Sequence, residues 1–151
     1  MLITSPQSKE DFERYYDLRW RILRMPWNQP KGSEKDELEK ESFHSMVCET
    51  DRIPIGIGRL HFNSEDEARI RYMAVEEQYR GRGIGKIILA GLEEKAINMG
   101  AKQIMLDARE PAIPFYCTAG YTIIGPAHTL YGCIKHVKMI KRIERENDQK
   151  M

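Results

Sequence analysis

The stretch Gln78-Tyr-Arg80-Gly81-Arg82-Gly83-Ile84-Gly85-Lys86 decides how this chain is read. Its three glycines follow a run suited to a strand, Ala68 to Val75. They precede a run, Ile84 to Met99, in which Ile84, Ile87, Ile88, Gly91, Leu92 and Ala96 recur at helical spacing. Glycine lets backbone N–H groups approach an anion with no Cβ in the way. A helix N-terminus adds unpaired donors and a partial positive charge. Arg80, Arg82 and Lys86 can add side-chain charge. Together they describe a cradle for a diphosphate.

Two well-known phosphate loops do not fit. A Walker loop needs GxxxxGK followed by Ser or Thr, but Arg80 stands where the first glycine belongs and Ile87 follows Lys86. A dinucleotide loop needs GxGxxG, but Gly81-x-Gly83 leads to Lys86 and Gly83-x-Gly85 leads to Ile88. A glycine-rich turn that merely ends a strand is the plain structural reading.

Outward from the loop, Gly100 stands where a C-cap glycine belongs, and Gln103 to Ala108 reads as a short apolar strand. Strand, loop, helix and strand make a βαβ unit, which requires parallel strands. Upstream, Met1 to Thr4 can begin a sheet, and Ser8 with Asp11 resembles a capping box ahead of a helix carrying Phe12, Tyr15, Leu18 and Leu23. His44 to Asp51, Ile55 to Phe62 and Ala68 to Val75 read as an antiparallel meander. In a regular third strand Ile70, Tyr72 and Ala74 share one face, opposite Arg69, Arg71 and Met73. The charged run Ser33 to Glu41 reads as a short solvated helix or an ordered loop. Downstream, Pro111 opens a helix to about Ala119, followed by strands at Tyr121 to Ile124 and Ile134 to Ile143. The expected class is α+β, with residues 1–143 as one domain and residues 144–151 as a frayed tail.

Composition narrows the function. A length of 151 residues supports one core, and a net charge of +1 gives no bulk field for nucleic acid or an anionic membrane. Cys48, Cys117 and Cys133 lack metal-site or disulfide spacing, so no metal is expected and reduced thiols in the cytoplasm are. The sequence shows neither a signal peptide nor an apolar run of membrane-spanning length.

The sequence resembles the GNAT acetyltransferases. Their signature, Gln/Arg-x-x-Gly-x-Gly/Ala, is matched at Arg80-Gly-Arg-Gly83-Ile-Gly85. A second block, Ala112-Ile-Pro-Phe115-Tyr116 followed by Gly120-Tyr121, is similar to the family's last helix. The resemblance spans at least Ile53 to Ile140. One departure is Arg109, where many relatives carry an asparagine that can contact the cofactor.

This resemblance implies a mixed, mostly antiparallel twisted sheet with flanking helices and a central βαβ cofactor unit. It implies N-acetyl transfer from acetyl-CoA to a primary amine, by direct attack in a ternary complex. The pyrophosphate would lie on amides from Gly81 through Arg82, Gly83, Ile84 and Gly85 to Lys86, with Arg80 beside them. The pantetheine arm would add like a strand along Met73, Ala74 and Val75. Tyr116 matches the family's proton donor to the leaving thiolate. The base is open among His61, His136, Glu110, Glu76 and a water relay, with His136 carried as the named candidate because Ile134-Lys-His136-Val-Lys-Met139 is similar to a subgroup ending. The acceptor is a small-molecule or peptide amine, and a homodimer is possible as a family habit. A non-catalytic acyl-CoA-binding module is the alternative.

Overall fold

A computed structural model describes residues 1–143. The tail expected at 144–151 lies outside the described residues. The elements are β1 (Leu2–Thr4), α1 (Lys9–Leu23), β2 (Phe43–Cys48), β3 (Pro54–Phe62), β4 (Glu67–Val75), α2 (Ile84–Asn98), β5 (Gln103–Arg109), α3 (Ile113–Thr118), β6 (Thr122–Leu130) and β7 (Ile134–Arg142). The strands form one seven-stranded sheet in the order β1-β2-β3-β4-β5-β7-β6. The expected βαβ unit is present: β4 pairs parallel with β5, Glu67 opposite Gln103 through Arg69 opposite Met105. The other registered pairs, β1 with β2, β2 with β3, β5 with β7 and β6 with β7, are antiparallel. No helix among the described residues is long and apolar enough to cross a membrane.

Two compact units are distinguished by their contacts. One joins Met1–His61 with Ile70–Lys95; the other joins Phe62–Arg69 with the chain from Ala96 onward.

In the first unit α1 starts as its sequence dictates. The Ser8 hydroxyl accepts from the Asp11 amide at 3.0 Å and the Asp11 carboxylate accepts from the Ser8 amide at 3.3 Å. Each bond satisfies a donor that a helix end leaves bare. Tyr15 and Leu18 bury against Met46, Cys48, Ile57 and Ala74. On α2, Ile84, Ile88 and Leu92 are buried. Two glycines of β3 let that helix lie close: a Cβ on Gly56 would stand 2.7 Å from Ile84 and Ile88, and one on Gly58 would stand 2.8 Å from Ile88 and Leu92. Those contacts are far inside van der Waals distance, so any side chain at the two positions would force Ile84, Ile88 or Leu92 to shift.

In the second unit β7 lies between β5 and β6. The strand expected to stop at Ile124 continues to Leu130. It runs through Gly125-Pro126 because β6 is the last strand of the sheet, where a missing N–H can face away from the ladder. Register irregularities at Ile123/Gly125 and Pro126/Thr129 absorb the pair. The helix expected from Pro111 is split into a 3₁₀ turn, Glu110–Ala112, and the short α3.

Two further expectations fail. Tyr72 does not face away from Arg71, for both reach the Asp36 carboxylate. Its φ is +58°, which breaks the two-residue alternation, and Ile70 and Ala74 are buried while Tyr72 is only partly so. Nor is the run Ser33 to Glu41 a solvated helix; of the two expected forms it takes the ordered loop. Glu34 is buried, and Asp36 and Glu39 pair with the fully buried Arg59. The carboxylates are drawn inward because two arginines there have no water to solvate them.

Candidate cofactor loop and proton-transfer residues

The glycine loop leaves β4 through a 3₁₀ turn, Glu77–Tyr79. Gly81 and Gly83 have φ of +79° and +83°, in the left-handed region that disfavours side chains. A Cβ at either would meet nothing within 4 Å, so backbone conformation rather than crowding demands glycine there. The Ile87 amide makes an early helical bond of α2, to the Gly83 carbonyl at 3.1 Å. The amides just before it therefore sit in the first turn, where a helix offers donors outward. Arg80, Arg82 and Lys86 are exposed around this turn. Arg80 Nε donates to the Val75 carbonyl at 3.2 Å, and the Arg82 guanidinium lies 5.2 Å from the centre of the Tyr79 ring. The chemistry of these residues suits a diphosphate: a helix N-terminus opened by glycines, with three exposed cations in the same short stretch.

Beside β4 lies an ionic cluster that the sequence did not announce. Arg19 and Arg59 have no exposed side-chain surface. Arg59 donates to Asp36 at 2.6 and 2.9 Å and to Glu39 at 2.7 Å. Arg19 donates to Glu39 at 2.9 Å and to the Tyr15 hydroxyl at 3.0 Å. Burial pushes the Asp36 carboxyl up, but Arg59 more than offsets this and holds it well below the usual carboxylate range. Among the suggested bases, Glu76 is held by Arg21 at 2.9 and 3.0 Å, and buried His61 lies 3.3 Å from an Arg59 nitrogen. Both are engaged by guanidinium groups, which suits a fixed role better than proton exchange. Arg59 and Arg71 both reach Asp36, Arg71 at 3.4 Å.

In the second unit Tyr116 lies on α3. Its ring meets Phe115 edge-on at 5.0 Å and Tyr121 at 5.8 Å. Burial pushes its phenol up to about 12, so it is a neutral O–H at physiological pH. Glu110 is exposed in the 3₁₀ turn that precedes α3.

His136 sits on β7 opposite Arg109 of β5. Its Nδ1 lies 3.0 Å from the Ile134 carbonyl, which makes Nδ1 the donor in the neutral ring, and the ring also meets the His128 backbone. Burial lowers its pKa first, and neighbouring His128 lowers it further. His128 is the residue that sequence reading passed over. It stacks on His136 with centroids 4.4 Å apart, and its Nδ1 is 3.7 Å from Asp107. Asp107 is held in turn by Arg69 at 2.6 Å. The only sequence signal was three polar side chains on neighbouring strands, and their register was not readable in advance.

Among the described residues no group of three or more His, Cys, Asp or Glu side chains could hold a metal ion. Cys117 and Cys133 are exposed and Cys48 is buried; all three are free.

The profile of the acetyltransferase (GNAT) family matches residues 12–121. The chain is 30% identical over 135 residues to the uncharacterised N-acetyltransferase YjcF of Bacillus subtilis, covering 89% of this chain and 95% of that one. An aminoglycoside 6′-N-acetyltransferase complexed with coenzyme A shares the fold, with TM-score 0.80 and 18% identity over 96% of this chain and 99% of that one. A chain of the NatC complex, bound to Gag peptide and CoA, shares it with TM-score 0.76 and 21% identity over 95% and 98%.

Proposed function

Since the chain belongs to the acetyltransferase (GNAT) family and is an acyltransferase, we propose that it moves an acetyl group from acetyl-CoA to a primary amine by direct attack in a ternary complex. The observation that carries this reading is the pair of left-handed glycines, Gly81 and Gly83, opening α2 among Arg80, Arg82 and Lys86. That arrangement suits the pyrophosphate of CoA. Met73, Ala74 and Val75 are the strand residues along which the pantetheine arm would lie.

The chemistry then needs two proton transfers. The amine nitrogen forms a bond to the acetyl carbon and gives up a proton. The carbon–sulfur bond breaks, and the thiolate takes a proton. Tyr116 is the proposed donor to sulfur, supported by its neutral phenol. His136 is the proposed acceptor of the amine proton, supported by a pKa that burial and His128 lower, which keeps the ring neutral. A small-molecule or peptide amine is the proposed acceptor class. The aminoglycoside enzyme and the peptide-bound NatC complex, as their names stand, lend support to either.

Calorimetric titration with acetyl-CoA, comparing the wild type with Gly83→Asp, tests the reading. Binding by the wild type and its loss in the variant are expected, because aspartate adds bulk and negative charge where phosphate would lie. A thiol-release assay over a panel of amines, including an aminoglycoside and a peptide with a free N-terminus, then reads turnover. Tight binding with no turnover on any amine would favour a non-catalytic acyl-CoA-binding module. No binding by the folded wild type would overturn the reading.

A further inference from the structure

Among the described residues, five other than glycine have φ in the left-handed region: Asn28, Asp51, Arg52, Tyr72 and Tyr131. Of these, Tyr72 alone lies inside a strand, where a bulky side chain makes that conformation a strained outlier. Such a conformation persists only where the surroundings over-determine it. Around this ring they do. The guanidinium carbons of Arg19, Arg71, Arg59 and Arg24 lie 4.4, 4.6, 4.8 and 5.7 Å from its centre. Its hydroxyl donates to Asp36 at 3.3 Å, and Asp36 is gripped by Arg59.

The cage is an expensive way to fill an interior. Arg19 and Arg59 are fully buried, and well-packed apolar residues of like volume would stabilise the unit as well or better. What the cage achieves that an apolar cluster would not is a fixed place for one aromatic ring. A left-handed residue rotates the peptide plane that follows it, so the ring's place governs how Met73, Ala74 and Val75 present their backbone groups. The end of that strand is tied to the phosphate loop as well, since the Val75 carbonyl accepts from Arg80.

We propose that Tyr72 is a positioning residue: its caged ring holds the left-handed turn that aims the backbone of Met73, Ala74 and Val75 at the pantetheine arm. This rests on the reading of those residues as the pantetheine strand. Asp36, from the segment between α1 and β2, acts through the same ring by way of Arg59.

The test separates the two halves of the cofactor. Calorimetry would use CoA and, as a probe lacking pantetheine, 3′-phospho-ADP. Tyr72→Val carries a β-branched side chain that rejects positive φ. It should weaken CoA by about tenfold or more while changing 3′-phospho-ADP by no more than about twofold. Tyr72→Asn, which tolerates the left-handed region, should recover most of the lost CoA affinity. Tyr72→Phe, which keeps the ring, should stay within about twofold of wild type for both probes. Thermal melting confirms that each variant is folded, and Tyr72→Leu takes the place of Tyr72→Val if the latter is not. CoA affinity unchanged in the valine or leucine variant, or equal losses for both probes, would overturn the inference and leave the cofactor reading intact. Wild-type protein that binds neither probe would overturn both.

Discussion

Arg59 and Asp36 form a two-point ion pair, at 2.6 and 2.9 Å, between the middle of β3 and a loop that sequence alone would place in solvent. The arginine side chain is fully buried and the aspartate is 15% exposed. A pair of this kind is costly to break one-sidedly, because the remaining charge keeps its desolvation and loses its partner. Asp36→Asn should therefore lower unfolding free energy by about 3 kcal/mol. Glu39, also on Arg59 at 2.7 Å, keeps the loss from being larger. Urea denaturation measures it, and a change under about 0.5 kcal/mol would mean that the pair is dispensable.

The same carboxylate predicts an acid response. The folded-state pKa of Asp36 is depressed, as is that of Asp11, which Arg52 holds below the usual range at 2.8 Å. A depressed carboxylate contributes stability that is present above its ordinary value and is lost as pH falls through the folded value. The melting temperature should fall between about pH 4 and about pH 2, and fall less steeply in Asp36→Asn. Parallel slopes in the two proteins would remove Asp36 from the account.

These charges mark where sequence reading reached its limit. The loop from Arg80 to Lys86, the capping box at Ser8 and the parallel β4–α2–β5 unit were legible because each is a local pattern. The partners of Arg19 and Arg59 were not. Glu34, Asp36 and Glu39 look like a solvated run, since a linear sequence carries no sign of which cation a distant carboxylate will meet. Tyr72 was missed for the opposite reason. Alternation is a sound default for a strand, and the residue that breaks it is held by side chains from α1 and β3 rather than by its neighbours in sequence. The pairing of His128 with His136 depended on an irregular register near Pro126 that no periodicity foretells.

Gly58→Ala should destabilise by about 1–3 kcal/mol through overpacking, because the added methyl would stand 2.8 Å from Ile88 and Leu92. Gly83→Ala should cost less, about 1 kcal/mol, since only its φ of +83° is unfavourable and the space around it is open. Denaturant midpoints of the two variants settle the order. The reverse ranking would mean that α2 can shift away from β3 at little cost.

Tyr116→Phe removes one oxygen and leaves the packing against Phe115 and Tyr121 in place. Turnover with an accepted amine should fall by about 10²-fold while calorimetric affinity for acetyl-CoA stays within about twofold. With its phenol pushed up to about 12, Tyr116 stays protonated up to about pH 10. Loss of this group on the alkaline side should therefore be absent from the ordinary assay range. Unaltered turnover in the variant would make Tyr116 a packing residue.

His136 gives the acid side of the profile. A base works only when unprotonated, and both burial and His128 hold this imidazole below its ordinary value. The rate kcat/KM should be level through neutral pH and fall only below about 6.5. His136→Asn should remove that limb and lower kcat/KM at pH 7 by about 10²-fold or more. His128→Gln deletes a neighbour 4.4 Å away whose charge opposes protonation of His136. It should move the acid limb upward, toward the ordinary imidazole value, without abolishing activity. A limb that survives His136→Asn would exclude His136 as the base. One that disappears in His128→Gln instead would assign proton removal to the imidazole beside Asp107, with His136 acting as its stacking partner.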